Sequence, residues 1–292
     1  MILVAGGTGR LGAELVPSLR SAGLPVRVLT RDPARARSLR ELGAEIVVGD
    51  VRKPATLEAA TRGVATVVSA IHGFATNDGG TPARVDRDGN AALVDAAEAA
   101  GALVVLMSVL GAAQDHPLAL FRMKAAAERR LRTRARRWTI VRSAPFGELQ
   151  LDLLCRSARG GGAPVVLGRG ENPVNVVSVK DVAAAVVSAA SGDFAGRVLD
   201  VAGPEDLTLD ELARAARRRL GRTDVPLRHV PRRLLRVLAA TQRLPRIPLG
   251  QVAALAVALD TLPMTYEALH DEAALCWRGT RSFTEASIPA AV

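Results

Sequence analysis

Gly6, Gly9 and Gly12 fall at three-residue spacing within Ile2-Leu3-Val4-Ala5-Gly6-Gly7-Thr8-Gly9-Arg10-Leu11-Gly12. Glycine suits a place where the backbone turns sharply and amides approach a phosphate with no Cβ in the way. A helix that starts there offers unpaired N–H groups and the positive end of its dipole to the same anion. The chemistry on offer is the holding of a pyrophosphate; an ordinary tight strand-to-helix turn is the plainer alternative. A second set of residues can polarise or move protons. Ser108 stands at the carboxyl end of one apolar run, and His72 and His116 lie in loops after two such runs. Lys124 is one of three lysines among 39 basic residues. Arginine serves nearly every other cationic position, so this lysine reads as functional rather than as helix-surface charge. Each histidine alone reads more simply as a surface loop residue. No metal site is expected.

The elements that must position these groups alternate. Ile2 to Ala5 is a buried strand, and Leu11, Leu15, Val16 and Leu19 give the following helix one apolar face. Strands are expected at 25–30, 44–48, 64–71, 103–107 and 138–141, with helices at 35–42, 56–62, 85–100 and 118–134 between them. That alternation predicts a parallel, doubly wound α/β sheet. Ligands of such sheets lie in the crevice above the strand ends, which brings Ser69, Ala70 and Ile71 beside a bound dinucleotide. Strand two ends in Thr30-Arg31 rather than in the acid that would hold a ribose 2′-hydroxyl. Arg31 can bind a 2′-phosphate, which favours NADP(H) over NAD(H); with a shift of register Asp32 would take the NAD role. Asp50, at the end of strand three, either accepts from an adenine amino group or caps the next turn.

Beyond residue 152 the pattern loosens. Gly160-Gly161-Gly162 reads as a break, as Asn77-Asp78-Gly79-Gly80 does in the loop at 74–84 of the core, with 164–167 and 174–177 as short strands and 179–190 as a helix capped by Ser178. A strand at about 197–201 is expected to return to the sheet. Thr208 and Glu211 form a capping box that opens a helix to about Leu220. Apolar helical stretches follow near 231–242 and 249–262. They are suited to covering a substrate pocket; their arginine-rich edges also permit the weaker reading of a membrane surface. The division expected is a core at 1–152 and a carboxyl-terminal lobe at 153–292, mixed α/β and then helical.

Composition bounds the function. The formal charge is +10, but the basic residues are spread along the chain and aromatics are only 3%, so a nucleic-acid partner is not expected. The arginine run at 129–137 reads as a solvated helix face. No apolar run reaches membrane-spanning length. Met1 leads straight into a strand, and Cys155 and Cys276 form no paired motif, so a cytoplasmic protein with reduced thiols is expected. The partners expected are a small-molecule substrate, no membrane, and a second copy in a homodimer.

The glycine turn, Thr30-Arg31, Gly49-Asp50-Val51, Met107-Ser108, Lys124, Trp138-Thr139-Ile140-Val141-Arg142, Val179-Lys180-Asp181-Val182-Ala183 and Gly203-Pro204-Glu205 occur in an order that resembles the NmrA-like branch of the atypical short-chain dehydrogenase/reductases. The likeness covers about residues 1–220. It implies a Rossmann core with a small substrate lobe. It implies that the backbone from Gly7 to Leu11 holds the pyrophosphate, Arg31 the adenosine end, and Asp50 with Val51 the adenine. Ser69 to Ile71 and Pro145-Phe146 would line the nicotinamide side. The family's usual Tyr-x-x-x-Lys pair is incomplete, because Leu120 stands four residues before Lys124 and the only tyrosine is Tyr266. Two functions stay open. One is an NADPH-dependent oxidoreductase for a carbonyl, quinone or activated alkene, with Lys124 on the ribose, Ser108 on the substrate oxygen, and His72, His116 and Phe146 around the substrate. The other is a non-catalytic NADP(H)-sensing regulator.

Overall fold

A computed structural model describes residues 1–74, 80–158, 162–243 and 248–284. Its centre is an eight-stranded sheet in the order β12-β9-β6-β5-β4-β1-β2-β3. The strands are β1 (Ile2–Ala5), β2 (Val26–Thr30), β3 (Glu45–Val48), β4 (Thr66–Ser69), β5 (Leu103–Val109), β6 (Trp138–Ser143), β9 (Arg197–Ala202) and β12 (Leu275–Arg278). Every pairing among them is parallel. β1 lies between β2 and β4, so the chain order reverses there and a crevice opens above the strand ends.

Helices cover both faces. α1 (Arg10–Ser21) and α7 (Val179–Ser191) pack on one, through Leu15, Val16 and Leu19 against Val182, Val186 and the strands. α3 (Leu57–Thr61), α4 (Asn90–Ala99) and α5 (Ala119–Arg134) pack on the other, through Leu57, Leu93, Ala97 and Leu131. β1 and β5 are buried nearly throughout because both faces are covered. Short α2 (Arg37–Glu41) follows a 3₁₀ turn at Pro33–Ala36 that Asp32 caps, its Oδ1 accepting from the Ala34 amide at 3.0 Å.

The helix expected from residue 85 starts earlier. Pro82–Gly89 winds as a π-helix and runs into α4. The wider winding brings Asp86 and Asn90 inward, so this buried face carries an acid and an amide beside Val85 and Leu93. A helix not foreseen, α6 (Gly147–Ser157), follows β6 directly, and the expected division at residue 152 falls inside it.

The remaining elements carry two further apolar clusters. β7 (Val165–Leu167), β8 (Pro173–Asn175), β10 (Asp206–Thr208), α8 (Leu209–Arg219), β11 (Arg228–Val230), α9 (Arg232–Ala239), α10 (Pro248–Thr261) and α11 (Tyr266–Leu269) make two small sheets and a helical layer. Leu212, Ala216, Leu259 and Met264 pack there with Leu151 and Phe121. Ser178 caps α7 and Thr208 with Glu211 forms the capping box of α8. Arg197–Ala202 lies in the main sheet beside β6 and, further on, Leu275–Arg278 beside Arg197–Ala202. After β12 the chain crosses back: the Thr280 and Arg281 amides donate to Asp181, and Phe283 is buried against Gly147. Among the described residues no helix is long and apolar enough to cross a membrane. Asn77 to Gly79, Gly160 and Gly161 lie outside the described residues.

Candidate active site

A cleft of about 590 Å³ opens above β1, β2, β3 and β4. Its floor is Ala5, Gly6, Thr8 and Gly9; one wall is Thr30, Arg31, Asp32 and Arg35; another is Gly49, Asp50, Val51 and Arg52; the far rim is Ala70, Ile71 and His72.

The glycines are there for space. Gly6 has φ +91°, and a Cβ on it would sit 2.4 Å from the Ala70 carbonyl oxygen. A Cβ on Gly12 would sit 2.3–2.4 Å from the backbone of Gly7, so the first turn of α1 rests directly on the loop. Gly7 is likewise closed by Val28, at 2.8 Å. α1 has no side-chain N-cap and no acid in its first turn. Its positive end is therefore left to an outside anion, and the cradle fits the pyrophosphate of a dinucleotide. Arg10 turns away from that cradle and pairs with Asp152 of α6 at 2.7 Å, and Leu11 is buried in the α1 core.

The adenosine wall is arginine-rich. Arg31 and Arg35 are exposed beside the end of β2, and Arg52 reaches the cleft from the loop after β3. Thr30 is buried and its hydroxyl donates to the Asp32 carbonyl at 3.0 Å. Asp32 caps the 3₁₀ turn through its Oδ1 and is exposed at the cleft. Asp50 caps the next turn, its Oδ1 accepting from the Arg52 amide at 2.9 Å. Arg52 grips both of its oxygens, at 2.7–3.0 Å, and this contact holds its carboxyl below the usual carboxylate range against the opposing effect of burial. Arg52 and Arg35 went unnoticed in the sequence, where nothing distinguishes them from the other arginines.

At the far end the proton-moving groups are buried and partnered. Lys124 is 4% exposed rather than on a helix surface. Its Nζ donates to the Ile71 carbonyl at 2.9 Å and the Met107 carbonyl at 3.0 Å, and lies 3.0 Å from Asp86 Oδ1. That last contact is an ion pair by distance without a well-directed hydrogen bond, which leaves Asp86 Oδ1 buried and without one. Asp86 Oδ2 accepts from the Gly73 amide at 2.8 Å. Ser108 faces away from the cleft, its Oγ donating to Glu128 at 2.5 Å. Glu128 is bound in turn by Arg142, and Arg142 by Asp271 at 3.2 Å. Desolvation raises the Asp200 carboxyl next in this chain, although the Asp271 amide donates to it. Ser69 is buried and donates to Asn90 at 2.5 Å, so only the backbone around it borders the cleft.

The two histidines part company. His72 is exposed on the cleft rim. Desolvation holds its imidazole below the ordinary value; Asp86 pulls the other way and Lys124 adds to the lowering. The ring also hydrogen-bonds the Phe74 backbone, which acts against the lowering. His116 stacks on Phe121 at 4.1 Å, and its Nδ1 accepts from the Leu118 amide at 3.1 Å. It sits outside the residues that line the cleft. Pro145 and Phe146 lead into α6, where the Pro145 carbonyl accepts from the Val177 amide and Phe146 packs against the α1–α7 core.

Comparison with known proteins agrees with this geometry. Residues 6–193 match the NAD(P)H-binding protein family. An NAD(P)H azoreductase of Xenophilus azovorans is 34% identical over 79% of this chain and 76% of its own. A (4-alkanoyl-5-oxo-2,5-dihydrofuran-3-yl)methyl phosphate reductase of Streptomyces griseus is 37% identical over 78% of this chain and 76% of its own. Among solved structures, the triphenylmethane reductase of a Citrobacter species, complexed with NADP(H), shares the fold with a TM-score of 0.73 and 23% identity, over 92% of this chain and 93% of that one. With the cradle, the crevice and these relatives in agreement, the chain belongs to the NAD(P)H-binding, NmrA-like family of atypical short-chain dehydrogenase/reductases, as an NAD(P)H-dependent oxidoreductase.

Proposed function

We propose that the protein binds NADPH in preference to NADH and reduces small, oxidised organic molecules: quinones, activated alkenes, carbonyls and, by analogy with its azoreductase relative, azo compounds. The observation that carries the cofactor choice is the adenosine wall. Three arginines border it, while the one acid at the end of β2, Asp32, is engaged as a helix cap. Arginine matches a 2′-phosphate, and an acid directed at the ribose would repel it.

Bound NADPH would supply hydride at its nicotinamide. The chain's own residues do the rest. Gly6 to Gly12 and the start of α1 hold the pyrophosphate. Arg31, Arg35 and Arg52 hold the phosphate of the adenosine end, and Asp50 and Val51 border the adenine. The backbone of Ser69 to Ile71, with Pro145 and Phe146, borders the nicotinamide side. His72 takes the place of the missing tyrosine as hydrogen-bond donor. A ring N–H of His72 stabilises the oxygen that gains charge as the substrate accepts hydride, and solvent at the exposed rim delivers the proton. Ser108 and Lys124 support this end from beneath, through Glu128 and Asp86.

Calorimetric titration with NADPH, NADP⁺ and NADH, followed by NADPH consumption against quinones, enones and azo dyes, tests the reading. NADPH is expected to bind most tightly and at least one acceptor to be turned over. Tightest binding of NADH overturns the arginine assignment. Tight binding of NADP(H) with no turnover of any acceptor favours a redox-sensing regulator.

A further inference from the structure

Lys124 and Asp86 close a loop of contacts around a single residue. The Lys124 ammonium holds the carbonyl of Ile71, the Asp86 carboxylate holds the amide of Gly73, and the two side chains meet at 3.0 Å. Ile71 and Gly73 are the neighbours of His72 in sequence. Gly73 is also sterically fixed, since a Cβ on it would stand 2.3 Å from the Thr81 carbonyl oxygen. Both charges are buried, with the Asp86 side chain at 0% exposure. An ion pair so placed is weak as a source of stability, because desolvation offsets its attraction; its value lies in fixing one geometry. The π-helical winding of Pro82–Gly89 puts Asp86 in position.

We propose that Asp86 and Lys124 form a clamp whose task is to fix the His72 imidazole over the cleft, so that Asp86 is a positioning residue acting through His72. This inference rests on the reductase reading for its kinetic consequence. The His72 backbone is tied on both sides, and its exposed ring is steadied on the rim by a hydrogen bond to the Phe74 backbone. Substrates therefore meet a donor whose orientation was set before they arrived. Lys124 serves the clamp from below and delivers no proton.

The test is a cycle of Asp86→Asn and His72→Ala, each protein loaded with NADPH and assayed against an acceptor that the wild type reduces. Asp86→Asn is expected to lower kcat about ten- to a hundredfold in the wild-type background, with the KM for NADPH little changed. In the His72→Ala background it is expected to change kcat by less than about twofold, because the residue it acts through is gone. A full further loss there, or no loss in the wild type, overturns the clamp. If Asp86→Asn does not fold, the charge-neutral pair Asp86→Asn with Lys124→Met takes its place in the same cycle. A second readout needs no turnover. The chain has four histidines, so the His72 ring proton is identified in the NMR spectrum by its loss in His72→Ala. Asp86→Asn is expected to shift that signal and to speed exchange of the Gly73 amide; unchanged signals overturn the clamp. A wild type that reduces no acceptor refutes the reductase reading alone, and the NMR result still decides whether the clamp exists.

Discussion

At the adenosine end of the cleft, Arg31 and Arg35 stand exposed after β2, and Arg52 pairs with Asp50 on the same wall. At the opposite end, Lys124 and Asp86 lie buried beneath the rim and touch the cleft only through the backbone they hold. The first end recognises by charge on display. Its groups are hydrated, adjustable and open to exchange of one arginine for another. The second end works by pre-set geometry, where each polar atom is enclosed and a change of one residue leaves its partner stranded. Recognition and chemistry are thus built in different dielectric surroundings within one crevice, and mutations should separate them.

The sharpest separation comes from below the rim. Lys124→Met leaves the Asp86 carboxylate buried and unpaired, and is expected to cost about 3–5 kcal/mol of stability. Adding Asp86→Asn should recover much of that loss, as chemical denaturation of both variants will show. An equal loss in the double variant would mean that the lysine matters for packing and not for charge. Gly6→Ala breaks what the two ends share. The positive φ and the clash with Ala70 are expected to cost roughly 2–4 kcal/mol and to abolish dinucleotide binding, read by thermal melting and calorimetry. Arg31→Ala and Arg35→Ala should each weaken NADPH binding about tenfold or more, by loss of a charged hydrogen bond, while leaving NADH binding and melting temperature unchanged. An equal effect on NADH would dissolve the contrast between the ends.

The smallest effect concerns pH. Arg52 lowers the Asp50 carboxyl from its ordinary 3.8. A depressed folded pKa contributes stability that is complete above the unfolded value and is lost as pH falls through the folded one. In Arg52→Ala the folded value should return toward 3.8, so that little of this contribution remains at any pH. Acid denaturation curves of the two proteins should differ most above pH 4 and converge at lower pH.

The two ends also differed in how legible they were. The glycine turn and Thr30-Arg31 are local: spacing and the strand-to-helix context identify them without knowledge of what they face. The far end is not local. Ser108 and Lys124 stood out as isolated polar residues, yet Ser108 faces Glu128 and Lys124 faces Asp86, partners distant in sequence. One signal was available for Asp86. It shares a helical face with Asn90, Leu93 and Ala97, all buried, and an acid on such a face needs a partner. The helix expected from Val85 already contains this face; which base Asp86 meets is set by α5, which carries Lys124.

By itself the sequence determined the parallel sheet, the glycine cradle and the helix caps, since each depends on residues within a few positions of one another: alternation of apolar runs, three-residue glycine spacing, a threonine three before a glutamate. Tertiary structure alone decided which charges lie buried, which acid each basic group meets, and that His72 and not His116 stands at the cleft. Burial and partnership depend on elements that meet only once the sheet has ordered them, and the electrostatic character of a side chain follows from those meetings more than from its type.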